Sequence, residues 1–201
     1  MRSNVSRIDH GTKDLAAILA ESERVAKYND LSTKQAMQLR LICEEIDGML
    51  PNIINEFEGK FWIDFEDGVC KVNVSIEIPE FNSGKKGELI SLSKDKKNAA
   101  AVGIVGKLRC AIEDFLLNDD VAEACLNSYP TFHFATGYSD GVNYSYLWTL
   151  DKYRSEIKSK EEKEGEAWDE LEKSVIASVA DDVIVGIKGK SANIVIVKKF
   201  N

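Results

Sequence analysis

The amino-acid sequence predicts an α+β fold, a two-layer sandwich in which helices cover one face of a mixed, mostly antiparallel sheet. Two features lead to this prediction: helical and hairpin patterns follow one another along the chain, and the last strand pattern is apolar on both sides. The 201 residues, of which 44% are hydrophobic and 30% charged, suit a single domain over 1–201 with a divergent insertion at about 118–163.

The first part of the chain is predicted to form a strand at 6–11, a helix directly after it, and a second helix over about 33–57. Ser32 or Thr33 can cap the second helix, and Pro51 predicts a kink or an early end one residue before it. The side of this helix that is predicted to face the core consists of Leu39, Ile42, Ile46, Met49, Ile53 and Phe57.

A β-hairpin is the clearest pattern in the sequence. Apolar residues alternate with others in "KFWIDF", "EDG" is a turn signal, and the alternation returns in "VCKVNVSIEIP". One face of the hairpin is therefore expected on the core and the other in water. The residues of the second strand predicted to face the core are Cys70, Val72, Val74, Ile76 and Ile78.

The middle of the chain is harder to interpret. Residues 80–97 are polar and predict a loop, and 98–117 have the spacing of a helix. The aromatic-rich segment 118–150 predicts one strand, near 144–150. The charge run that follows, "DKYRSEIKSKEEKEGEAWDE", predicts a solvated helix or a linker.

The end of the chain predicts a helix and a second hairpin. In "EAWDELEKSVIASVADD" the residues expected on the buried face are Trp168, Leu171, Val175 and Val179. "VIVGIKGKSANIVIVKKF" reads as strand, turn and strand. Because the final strand is apolar on both sides, it should lie inside the sheet rather than at its edge.

Composition narrows the classes of function. The net charge of −8 disfavours binding to nucleic acid, since a polyanion would be repelled by most of the surface. The two histidines cannot supply a serine-hydrolase triad or a zinc site. The four cysteines are far apart and form no C-x-x-C pair, which predicts buried thiols. With no signal peptide and no membrane-spanning run, we expect a soluble, cytoplasmic protein that does not bind membranes.

Two stretches carry a resemblance to a known family: "LRLICEEIDGMLPNII" and "LEKSVIASVADDVIVGIKGKSANIVIVKKF". They are similar to parts of the histidine-kinase-like ATPase superfamily, and the second is similar to the closing helix and strands of the bacterial anti-sigma-factor serine kinases. The resemblance covers about 30–80 and 165–200. It implies a single histidine-kinase-like ATPase domain that binds ATP and Mg²⁺ between its helices and a mobile lid.

In that family's first motif helix an asparagine that binds Mg²⁺ follows a glutamate by four residues. The resemblance therefore implies that Glu45 or Glu44 acts as the catalytic group. Gly48 stands four residues after Glu44, where the asparagine is expected, so Asn52 is the nearest amide that could hold the metal and the nucleotide. The alternative for both glutamates is an ordinary pair on the helix surface, at the boundary of the core.

The family's glycine-rich phosphate contact corresponds best to "GIVGK", with Gly103, Gly106 and Lys107. These glycines lie within a helical pattern, so close helix packing is the alternative. The expected D-x-G-x-G is absent after the hairpin, where "EFNSGKKG" stands instead, and the "SGKKG" of that stretch predicts either a phosphate-binding loop or a solvated turn.

Two functions remain open from the sequence. The first is an ATP-binding regulatory protein that resembles the anti-sigma-factor kinases. The alternative is a degenerate, non-catalytic member of the same fold that acts as a protein-interaction module, so the sequence does not decide whether the chain is an enzyme. Both imply a protein partner, which we expect to contact the aromatic surface of 118–150, and the resemblance implies a homodimer.

Overall fold

The computed structural model describes residues 1–9, 15–53, 57–77, 135–139, 141–159, 174–188 and 191–200. These residues form the strands β1 (Ser6–Asp9), β2 (Glu58–Glu66), β3 (Val69–Glu77), β4 (Ala135–Ser139), β5 (Val142–Thr149), β6 (Asp182–Lys188) and β7 (Ser191–Lys199). They also form the helices α1 (Leu15–Tyr28), α2 (Thr33–Ile53), α3 (Leu150–Ser159) and α4 (Val175–Val179). The predicted loop at 80–97 and helix at 98–117 lie outside the described residues.

The described strands form one seven-stranded sheet in the order β1-β2-β3-β7-β6-β5-β4. Every neighbouring pair is antiparallel. The predicted α+β class is confirmed, and the described part of the sheet is antiparallel throughout. The predicted interior position of the last strand is also confirmed, because β7 lies between β3 and β6 at the centre of the sheet.

The strand register aligns apolar side chains in rows across the sheet. Val74 on β3 lies opposite Phe61 on β2 and Ile194 on β7, and Ile194 lies opposite Val185 on β6. All of these side chains are at most 1% exposed. The next residue along β7, Val195, points to the other face and is half-buried. We call the face with the buried rows the core face and the opposite one the outer face.

Helices α1 and α2 contribute their apolar sides to the buried cluster that contains the core-face rows. The members of this cluster from the two helices are Ile18, Val25, Leu39, Ile42, Cys43, Ile46, Met49 and Leu50. The predicted core face of the second helix is confirmed from Leu39 to Met49. The predicted early end before Pro51 is wrong, because α2 continues to Ile53. A proline loses one helical hydrogen bond, and here the helix runs only two residues beyond it.

Phe57 does not extend the core face of α2 as predicted. It lies after the end of the helix, directly before β2, although it is buried as expected. The hairpin of β2 and β3 is confirmed, and its turn at Asp67 and Gly68 has positive φ angles of 49° and 77°. Two consecutive positive φ angles are typical of the two-residue turns that match the twist of a hairpin.

The segment between the two hairpins adds strands to the same sheet. The strand predicted near 144–150 is confirmed as β5, whereas β4 was not predicted. The charge run begins in α3, so a helix is confirmed there. The helix is not fully solvated, because Tyr153 is 1% and Ile157 5% exposed.

The buried side of the short helix α4 agrees with the prediction only at Val179, which packs against the core. Val175 is 36% exposed, whereas Ile176 and Ala177 are buried. Ser174 caps the helix by accepting a hydrogen bond from the backbone N–H of Ala177. The other two residues of the predicted buried face, Trp168 and Leu171, lie outside the described residues. None of the helices in the described ranges is long and apolar enough to cross a membrane.

Candidate functional site

Helix α2, which carries most of the predicted site residues, has a well-defined start. The backbone N–H and the hydroxyl of Ser32 donate to the Gln35 side-chain oxygen at 2.9 and 2.8 Å. In return the Gln35 backbone N–H donates to the Ser32 hydroxyl at 3.4 Å. This reciprocal arrangement is a capping box, and it confirms Ser32 as one of the two predicted caps. It fixes where the helix begins.

Glu44 lies on the side of α2 that faces α1. Its Oε1 accepts a hydrogen bond from Arg40 Nε at 3.0 Å, and Arg40 Nη1 bonds Oε1 of Glu23 on α1 at 3.0 Å. The three side chains are between 40% and 65% exposed. Exposed ion pairs of this kind contribute about 0.2–1 kcal/mol to stability. Glu44 therefore has the contacts of a surface residue that joins two helices.

Glu45 differs from Glu44 in its contacts. Its side chain is half-buried, and no hydrogen bond or ion pair of its carboxylate occurs within the part of the chain that the structure describes. A half-buried carboxylate that has no partner among the described residues is available to contact a cation. Of the two glutamates, Glu45 is therefore the better candidate for chemistry.

Gly48 lies on the exposed side of α2, four residues after Glu44. Among the described residues, no atom outside the backbone of α2 lies within 4 Å of a Cβ atom added at Gly48. With no side chain, the residue cannot supply the oxygen ligand that the family pattern requires here. Asn52 lies in α2 by its backbone. The other predicted site residues, Gly103, Gly106 and Lys107, are outside the described residues. The predicted site residues whose surroundings the structure describes are therefore Glu44, Glu45 and Gly48, all on α2.

The space around Gly48 allows a stability prediction. Gly48→Ala should raise the free energy of unfolding by about 0.5–1 kcal/mol, because alanine lowers the backbone entropy cost of a helix and meets no steric barrier. Urea unfolding followed by circular dichroism measures the change. Met37→Ala, at another exposed position of α2, is the matched control and should change stability by no more than about 0.5 kcal/mol. A destabilised Gly48→Ala chain would show that the backbone at Gly48 is closely approached.

A second polar cluster lies on the outer face and was not predicted. Asp64 accepts two hydrogen bonds from Arg2, at 2.7 and 3.1 Å, one from the Trp62 indole at 2.9 Å and one from Asn73 at 3.2 Å. The Asn73 amide also donates to the Lys71 carbonyl at 2.9 Å, which explains how a polar residue can be only 7% exposed.

The pKa of Asp64 reflects this cluster. Partial burial acts to raise the pKa, but the hydrogen bonds from Arg2 and Trp62 and the positive charge of Arg2 outweigh it. The pKa therefore lies below the ordinary value, and the carboxylate is charged at neutral pH. Part of this cluster follows from the hairpin turn, which sets Asn73 opposite Trp62. Nothing in the local sequence links Arg2 to it.

The two described cysteines are free thiols. Cys43 on α2 and Cys70 on β3 are both buried, as predicted. Burial raises the pKa of both thiols, that of Cys70 to about 12, so neither forms a thiolate at neutral pH. They fill the core and do not act as nucleophiles.

Within the described residues, no group of three or more histidine, cysteine or carboxylate side chains could hold a metal ion. No protein-family model, no curated protein and no solved structure matches the chain.

Proposed function

We propose that this chain is a regulatory protein-interaction module, a non-catalytic relative of the histidine-kinase-like ATPases that resembles their anti-sigma-factor branch. One observation carries the proposal: Gly48 stands on an exposed side of α2 where that family has its Mg²⁺-binding asparagine. The contacts of Glu44 agree with it, since this carboxylate is already paired with Arg40 in a network that joins two helices.

The partner in this proposal is another protein. The net charge of −8 argues against nucleic acid, as a polyanion would be repelled. We further propose a cytoplasmic location, because Cys43 and Cys70 are free thiols in the core, as is usual in a reducing compartment. A homodimer remains part of the proposal on the ground of the family resemblance.

ATP binding is the second candidate function, and two features of α2 favour it. No described side chain approaches the position of a Cβ atom at Gly48, and the half-buried carboxylate of Glu45 has no partner among the described residues. Nucleotide phosphates with Mg²⁺ could occupy such a space if Asn52 or the backbone completed the site. In this case Glu45 would polarise the attacking group.

A thermal-shift titration with ATP or ADP and Mg²⁺ separates the two candidates. The interaction module should show no change in Tm up to millimolar nucleotide. A bound nucleotide at 100 times its Kd would instead stabilise the chain by about 2.7 kcal/mol, which is a readily measured shift.

The variant Glu45→Ala tests whether a nucleotide binds at α2, and Glu23→Ala serves as the matched surface control. A shift in the unmodified chain that Glu45→Ala abolishes and Glu23→Ala retains would refute the interaction-only proposal and support ATP binding at α2. A shift that survives both Glu45→Ala and Asn52→Ala would refute the interaction-only proposal and remove these residues from the nucleotide site.

A further inference from the structure

Residues 1–5, which we call the strap, lie along part of the edge of β2. The backbone N–H of Phe65 donates to the Met1 carbonyl at 2.8 Å, and the N–H of Ser3 donates to the Ile63 carbonyl at 2.8 Å. The N–H of Ile63 donates to the Ser3 hydroxyl at 2.9 Å. The strap thus satisfies backbone groups that an edge strand otherwise leaves unpaired.

The side chain of Arg2 fills a site made by two residues of β2. Its guanidinium forms a two-point ion pair with Asp64 and lies over the Trp62 ring, 5.7 Å from the ring centre. A planar cation matches both groups, because it can bond two carboxylate oxygens and contact an aromatic face. This position on the outer face is therefore selective for arginine.

The strap is separated from β1 by a bulge. Arg2 lies opposite Asp64, and Ser6 lies opposite Phe61. The chain advances four residues from Arg2 to Ser6 but only three along the paired part of β2, so the N-terminal segment contains one extra residue. Asn4, within the bulge, donates to the buried carboxylate of Glu21 on α1 at 3.0 Å. Opening of the strap therefore breaks the Asn4–Glu21 bond as well as the bonds to β2, while the bulge allows the register of β1 to stay unchanged.

No apolar side chain of the strap is buried. Met1 is 43% and Val5 55% exposed, and Arg2 is also exposed. Segments held mainly by exposed hydrogen bonds open locally at a lower free energy than segments with buried apolar side chains. Opening of the strap would uncover the edge of β2 at Ile63 and Phe65 together with the arginine site.

We propose that this edge of β2 is a binding site for an extended peptide of a partner protein, with an arginine opposite Asp64, and that the strap is its internal competitor. The peptide adds a strand to the sheet through the backbone groups of Ile63 and Phe65. The chain's own Met-Arg-Ser sequence shows which ligand the site accepts. The inference deepens the proposed protein-interaction role and rests on it for the source of the peptide.

The test measures binding of a fluorescent peptide, Met-Arg-Ser-Asn-Val, to the full chain by anisotropy. Ser3→Pro removes the N–H donor and the hydroxyl acceptor that hold the strap, so this chain should bind the peptide about 10-fold more tightly than the unmodified chain. A peptide with alanine in place of arginine should bind about 10-fold more weakly. Val5→Ala is the matched control in the strap and should bind like the unmodified chain.

The proposal is overturned if Ser3→Pro binds no better than the unmodified chain, or if the arginine and alanine peptides bind alike. Should Ser3→Pro fail to fold, Arg2→Ala weakens the strap by removing the contacts of Arg2 with Asp64 and Trp62 and must meet the same two criteria. Failure of peptide binding leaves the nucleotide titration of the unmodified chain untouched, so the two proposals fail separately.

Discussion

Ile194→Ala should lower the free energy of unfolding by about 2–5 kcal/mol. Ile194 is fully buried in the central strand β7, opposite Val74 on one side and Val185 on the other. Replacing it by alanine leaves a cavity in the middle of a row of side chains that can close only in part. Urea unfolding gives the change in free energy, and Tm should fall by roughly 2–4 °C for each kcal/mol.

Val195→Ala is the matched control, because Val195 is the next residue of the same strand and points to the outer face. It is half-buried, so its truncation should cost about 1 kcal/mol or less. If Ile194→Ala does not fold, Ile194→Val should still cost about 0.5–1.5 kcal/mol. Equal losses for Ile194→Ala and Val195→Ala would contradict the assignment of Ile194 to the core face and of Val195 to the outer face.

A comparison of strands β7 and β4 shows how far the sequence predicts the fold. The interior position of β7 was predictable, because apolar residues on both sides of a strand can be accommodated only within a sheet. The strand β4, in contrast, was not predicted from "ATGYS". A short strand that contains glycine carries too little hydrophobic alternation to be recognised without its neighbours.

The errors in the predicted helices also come from patterns that are too short to be recognised. The apolar side of α2 was predicted correctly because its pattern runs over several turns. The face of α4 was predicted wrongly at Val175, since a described helix of five residues is too short for a repeating pattern to define its buried side. Phe57 fitted the spacing of α2 by coincidence, and only the structure shows that the helix ends before it.

The candidate site was predictable only as far as its residues lie on one element. Glu44, Glu45 and Gly48 belong together because one helix carries them. The pairing of Glu44 with Arg40 follows from a spacing of four residues, but the bond from Arg40 to Glu23 needs the packing of α1 against α2. Contacts between distant segments, such as Arg2 with Asp64, depend on the folded sheet and leave no local trace in the sequence.

Asp64→Ala should destabilise the chain by about 1–3 kcal/mol at neutral pH. The substitution leaves the Trp62 indole and the Arg2 guanidinium without their acceptor, and it removes one of the two acceptors of the Asn73 amide. Because Asn73 is almost fully buried, water replaces the lost bond poorly. Faster amide hydrogen exchange at Ser3 should accompany the loss, since the strap is anchored by the same carboxylate.

Asp64→Asn isolates the contribution of charge, and its pH dependence follows from the direction of the pKa shift. The pKa of Asp64 is lowered in the folded chain, so its charge stabilises the fold above the unfolded pKa of about 3.9. The stability difference between the unmodified chain and Asp64→Asn should be constant near neutral pH and shrink as the pH falls from about 3.9 through the lower folded pKa.

Glu58→Gln is the matched control for Asp64→Asn on the same strand. Glu58 pairs with Arg7 at 2.9 Å, but both side chains are 69% exposed, so this substitution should change stability by less than about 1 kcal/mol. High salt should reduce that small effect further, whereas the partly buried Asp64 cluster should respond less. If Asp64→Asn and Glu58→Gln lose the same stability and respond alike to acid and salt, the Asp64 charge does not anchor the strap, and only the bonds of Met1 and Ser3 to β2 would hold it there.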